Sequence, residues 1–171
     1  MVETKYGKYI LYTKPGEKQE GLPDVIARTD DYIMEGSQHF LAHRISPWFV
    51  PPPHSPHLHQ DPEMLVMMGT DPRDPWDLGA EVHLCMGQEM EKHVITESCL
   101  VFIPAKMIHC PISYHNVTRP FIFIQVQYAP KMTEFPCKGL IPEEEFSKMV
   151  SFTVDGTQKG MSGQTWKTSP D

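Results

Sequence analysis

The chain has 171 residues, and its 15 basic against 22 acidic side chains give a formal charge of -7, which repels a phosphate backbone and argues against a nucleic-acid partner. At 40% hydrophobic and 22% charged, it has the make-up of one soluble globular domain, neither collagen-like nor wholly disordered. Its longest apolar run, around Phe121 to Val126, is too short to span a bilayer, and no basic-then-apolar leader follows Met1. The expectation is a cytoplasmic protein without a membrane partner.

Seventeen prolines punctuate the chain and leave little room for long helices, while the stretches between them are rich in β-branched and aromatic residues. The pattern predicts an all-β sandwich or barrel. Lys8 to Thr13 reads as a first strand, followed by a polar loop, and residues 1–38 form an N-terminal segment. A barrel spans 39–130. His39 to Ser46 opens it, with His39, Leu41, His43 and Ile45 on one face and Phe40, Ala42 and Arg44 on the other.

Pro51 to Pro53 impose an extended approach to His54 and His57, and Glu63 to Gly69 reads as a buried strand. Thr70 to Leu78 is a loop expected to cover a rim or mouth. Short strands follow at Glu81 to Met86, Glu91 to Thr96, Cys99 to Pro104 and Met107 to Ser113, and Pro120 to Ala129 is the strongest strand signal. Residues 131–171, part of the same domain, comprise a short helix from Pro142 to about Val150 and a tail after Ser151. That tail reads as a loose arm or a strand lent to a second copy. Cys85, Cys99, Cys110 and Cys137 form no Cys-x-x-Cys pair and read as reduced thiols.

The chemistry concentrates in one constellation. His57 and His59, two apart on a strand, point to the same face. Glu63 opens the next strand, and a hairpin between the two would return its carboxylate to the imidazoles. His109 follows 46 positions later, past a turn at Pro104 to Met107. Three neutral nitrogens and one carboxylate suit Fe, Mn, Ni, Co or Zn rather than Ca or Mg, and they leave positions open on an octahedral ion. His54 is an extra: a substitute ligand, a supporting group, or an exposed residue beside prolines. Cys110, next to His109 on a strand, is expected to point away.

His57-Leu58-His59-Gln60-Asp61-Pro62-Glu63 and the later Pro104 and His109 resemble the two cupin motifs, His-x-His-x-x-x-Glu and Pro followed five residues on by His. The resemblance covers roughly Phe40 to Tyr128. It departs from the family at turns, with Pro51, Glu97-Ser98, Lys106 and Ser113 in place of the usual residues. It implies a jelly-roll-like barrel of two antiparallel sheets with a short C-terminal helix, and it implies that His57, His59, Glu63 and His109 are metal ligands. It further implies a homodimer paired through its sheets.

Arg44, Phe123, Gln125 and Gln127 are candidate substrate-pocket residues. The function read from this is a metal-dependent enzyme on a small organic molecule, of oxygenase, decarboxylase, isomerase or lyase type. The alternatives are a non-catalytic ligand-binding or sensing cupin with a structural metal, and a barrel with an empty site. No Gly-x-Ser-x-Gly, P-loop or His-Glu-x-x-His motif competes.

Overall fold

The computed structural model describes residues 5–11 and 24–157. Its elements in chain order are β1 (Asp24–Thr29), β2 (His39–Ile45), β3 (His57–Leu58), β4 (Glu63–Gly69), β5 (Asp77–Met86), β6 (Glu91–Glu97), β7 (Cys99–Ile103), β8 (His109–His115), β9 (Phe121–Gln127), β10 (Thr133–Pro136), α1 (Glu143–Phe146) and β11 (Val154–Asp155). They make two antiparallel sheets, β1-β2-β9-β4-β7 and β11-β10-β3-β8-β5-β6. No helix among the described residues is long and apolar enough to cross a membrane.

The alternation seen in the sequence builds the core. In β5, Leu78, Ala80, Val82 and Leu84 are buried while Glu81, His83 and Cys85 on the other face are half-buried. They meet Ile45, Leu65, Met67, Phe121 and Phe123 from the opposite sheet, and Tyr114 sets its ring edge-on to Phe123 at 6.0 Å. The five-stranded sheet is apolar on its outer face as well. Register aligns Phe40, Val126, Met64 and Phe102 in one row, and Ala42, Ile124, Val66 and Leu100 in the next.

Gly69 ends β4 where only glycine fits, since a Cβ there would run into the backbone carbonyl oxygens of Asp77 and Pro75. Ser98, at a turn where the family pattern differs, accepts from Gly69 N at 2.8 Å and donates to Pro75 O at 2.6 Å. Lys106, standing where a turn glycine is common, takes a left-handed φ of 62° and closes its turn onto His59 O at 2.8 Å.

Several expectations are corrected. Gly7–Tyr9 form a 3-10 turn rather than a strand, and Tyr9, Ile10 and Leu11 stay exposed because no apolar face forms there; Tyr12 and Thr13 lie outside the described residues. The helix stops at Phe146, because the following chain is drawn inward to bridge Val150 to His54. After Ser151 the chain adds β11 to its own β10, and residues beyond 157 lie outside the description. The 70–76 loop leaves β4 at the end away from Glu63. β1 and β10 are short and lack a strong apolar run, so periodicity gives no sign of them.

Candidate metal centre

Two sheets supply the cluster. β3 and β8 pair so that His57 lies directly opposite His109, and His59 follows just past the end of β3. Glu63 arrives from β4 in the other sheet, so the expected hairpin with the His57 strand does not exist. The carboxylate crosses the interior instead, which is possible because residues 60–62 carry the chain from one sheet to the other. His57, His59, Glu63 and His109 are each at most 2% exposed. The three imidazole centroids stand 4.3, 4.8 and 5.0 Å apart.

Each ring is fixed from behind by a backbone carbonyl. His57 Nδ1 donates to Ser55 O at 2.7 Å, His109 Nδ1 to Met107 O at 3.2 Å, and His59 Nδ1 to Thr133 O. At His57 and His109 these bonds commit Nδ1 as the donor and leave Nε2 with a free lone pair, whereas His59 Nδ1 also has the Gln127 Nε2 amide at 3.0 Å. Those three Nε2 atoms and Glu63 Oε2 are buried without a hydrogen-bond partner. His59 Nε2 and His109 Nε2 each lie 3.3 Å from Glu63 Oε2, near enough for ion pairing but not aligned as hydrogen bonds.

Four orphaned donor atoms in the buried interior are costly unless something binds them, and their chemistry fits a divalent transition metal. His109 links the two groups they form, since the His57 ligand atom is grouped with His109 and not with His59 and Glu63. The ligand atoms of His59, Glu63 and His109 all lie within 4.8 Å of one another, and so do those of His57, His109 and Cys110. The buried His/Glu/Cys cluster is able to hold a metal ion.

Charge states favour that role at His57 and Glu63. Burial, reinforced by the His109, His54 and His59 imidazoles, pushes His57 well below the ordinary histidine range, so it stays neutral. Burial would raise the Glu63 carboxyl, but the His109 and His59 rings outweigh it and hold the group at about 2. His59 is lowered by burial yet raised on balance by Glu63. Cys110 corrects an expectation. A register shift in the β5–β8 pairing and a φ of 67° at Cys110 turn its side chain toward His57 and His109 rather than away. Burial raises its thiol well above the usual range, so it enters the site as a neutral S–H.

Gln127, expected in a substrate pocket, is fully buried and does structural work instead. Its Oε1 accepts from Thr133 N at 3.1 Å and its Nε2 donates to Thr133 O at 3.2 Å, which pins the carbonyl that orients His59. Phe123 is buried in the core, its ring stacked on His43 at 6.5 Å. Gln125 is half-buried. Arg44 points outward, paired with Asp24 and lying over Trp48, so it faces no interior ligand. His54 is not an exposed residue beside prolines. Backbone bridges to Ile112 and Val150 hold it over His57, with ring centroids 4.5 Å apart. His83 and His115 stack on each other at 4.1 Å on the outer face, and His93 is exposed beside Glu91.

His43 gives a pH prediction. Burial depresses it to about 4, so as pH falls the unfolded chain takes up this proton first. Its contribution is complete above about 6.5, the ordinary histidine value, and is lost as pH falls toward about 4. Urea denaturation between those limits should show stability falling with pH, and His43→Gln should flatten the slope by up to about 3 kcal/mol in total. An unchanged slope in the variant removes His43 as its source.

No family model matches this chain, and no curated protein matches it either. Solved structures do. Peruvianin-I, a cysteine peptidase from Thevetia peruviana latex, aligns at TM-score 0.53 and 12% identity over 80% of each chain. An uncharacterized conserved protein with a double-stranded β-helix domain from Klebsiella pneumoniae aligns at TM-score 0.50 and 11% identity over 81% of this chain and 98% of that one. Oxalate oxidase in complex with the substrate analogue glycolate aligns at TM-score 0.51 and 13% identity over 79% of this chain and 66% of that one.

At such identities the likeness is one of fold, and peptidase and oxidase on the same frame show that the fold does not choose the reaction. The chain has the double-stranded β-helix, or cupin, fold: two antiparallel sheets in an all-β arrangement. Within it lies a buried His/Glu cluster able to hold a metal.

Proposed function

We propose that the protein is a metal-dependent enzyme acting on a small organic molecule, with an Fe, Mn, Ni, Co or Zn ion held by His57, His59, Glu63 and His109. The observation that carries this reading is the set of four buried donor atoms left without partners. A bound ion of this kind supplies a positive charge that polarises a substrate oxygen, with coordination positions left for it. The protein's own part is to hold the ligands and keep the site dry. Carbonyls of Ser55, Met107 and Thr133 orient the three rings, Gln127 locks the Thr133 carbonyl, and Leu65 and Met67 continue the buried face of β4 beyond Glu63. The reaction stays at the level of oxygenase, decarboxylase, isomerase or lyase.

The test is metal analysis of protein purified without added metal, then a screen of small metabolites with Fe- or Mn-loaded protein. Consumption of one of them, lost in His59→Ala, is the expected result. Tight ligand binding that survives metal removal and yields no product would replace the enzyme by a sensing protein.

A homodimer paired through the five-stranded sheet accompanies this proposal. Its outer face shows Leu100 and Phe102 at 65% and 53% exposure within two apolar rows, a surface that a lone antiparallel sheet does not normally leave to water. A second copy supplies a matching apolar face with no charge to bury. Sedimentation equilibrium should report a dimer at micromolar concentration and a monomer for the Leu100→Glu, Phe102→Glu double variant. A monomeric parent protein would end the pairing proposal.

A further inference from the structure

Glu134 is 1% exposed and is not one of the four candidate metal ligands. It sits on β10, one residue after the Thr133 carbonyl that fixes His59. His54 Nε2 donates to its Oε1 at 2.9 Å, while Oε2 is buried without any hydrogen-bond partner. A Glu134 oxygen and ring nitrogens of His54 and His57 lie within 4.8 Å of one another, which sets the carboxylate against the edge of the candidate metal centre.

These three groups do not form a second ion site beside the first. His57 Nδ1 is already committed to Ser55 O, and its one remaining nitrogen serves the main cluster. The free oxygen is therefore left as a hydrogen-bond acceptor at the edge of the candidate metal centre. On β2 of the facing sheet, His39 Nδ1 and His43 Nδ1 are also buried without partners. Among the described residues, the buried polar side chains include no lysine and no arginine.

On the reading that His57, His59, Glu63 and His109 hold a metal, we propose that Glu134 sets substrate class: it takes a hydrogen bond from a hydroxyl of a neutral 1,2-dihydroxy compound, a vicinal diol, enediol or catechol. The same carboxylate disfavours dicarboxylates such as oxalate: the charge of a divalent ion would already be balanced by Glu63 and Glu134, and no buried cationic side chain offsets the two charges the dianion brings. His54 holds Oε1 and so leaves Oε2 as the acceptor available to the ligand. A hydroxyl donor fills an acceptor that is otherwise orphaned, and loss of such a charge-assisted bond is worth about tenfold to a hundredfold in affinity.

The test uses zinc-loaded full-length protein, its metal content verified by elemental analysis, titrated calorimetrically with catechol and with oxalate. Wild-type protein should take catechol more tightly than oxalate. Glu134→Gln keeps an oxygen for His54 but places an amide N–H where the free acceptor stood. It should weaken catechol at least tenfold and tighten oxalate. Wild-type preference for oxalate overturns the proposal whatever the variant does, and so does an unchanged catechol-to-oxalate ratio in a folded Glu134→Gln protein. Failure of wild-type protein to hold stoichiometric zinc overturns the metal reading and the proposal with it, whereas full zinc with the wrong preference overturns the proposal alone.

Discussion

Alanine at His109 is expected to abolish stoichiometric metal binding while leaving the β-sheets folded. His109 lies opposite His57 across the β3–β8 pair, and its Nε2 stands 3.3 Å from Glu63 Oε2, so it touches both halves of the cluster. Changes to groups that merely support a ligand already cost about 10- to 100-fold in metal affinity, and removing a ligand outright should cost more than about 100-fold. The fold should survive because the residue lies where the strands are held by backbone ladders, and Glu63 keeps His59 at 3.3 Å as a partner. The loss of stability is then that of a partly uncompensated carboxylate, about 1–3 kcal/mol. Elemental analysis and a calorimetric zinc titration measure the first effect, and far-ultraviolet circular dichroism the second. A folded His109→Ala protein that still binds one zinc per chain at parental affinity would remove His109 from the ligand set.

The second large effect is on the thermal midpoint. A metal that binds only the native arrangement stabilises it by mass action, about 4 kcal/mol at a free concentration a thousand times the dissociation constant. For a chain of this length that corresponds to a rise of about 10 °C. The rise should be reversed by a chelator and absent in His109→Ala and Glu63→Gln. The physical basis is that the ligands come from positions 57 to 109 and from both sheets, so the unfolded chain cannot present them together. Four orphaned donor atoms also gain partners at one stroke. A melting scan that does not move with added Zn, Mn, Fe, Co or Ni would leave the cluster as a costly but empty feature of the core.

Both effects rest on residues that the amino-acid sequence already singles out. The spacing of His57, His59, Glu63 and His109 is local chemistry written in sequence, because a strand's period of two and a turn's proline dictate which side chains share a face. The all-β class follows from prolines that forbid helices and from alternating runs such as those of β5 and β9. Long, strongly patterned strands fall within a few residues of their expected positions for the same reason.

The relations between distant segments are decided only by the tertiary structure. Glu63 reaches the histidines from the facing sheet and not through a hairpin, since the break at 60–62 ends one sheet and begins the other. Cys110 turns inward because a register shift against β5 overrides the alternation its position implies. Gln127 is a brace for Thr133, and Arg44 an outward partner of Asp24, because the direction of a polar side chain on a two-sided apolar strand is set by neighbours and not by period. Glu134 carries no spacing signal at all: it stands 71 positions after Glu63 in sequence. Only the docking of β10 on β3 brings its carboxylate to the His57 ring. Periodicity determines which residues face inward along one strand; which inward-facing residues meet is decided by how the strands pair and the sheets close, and that is a property of the whole chain.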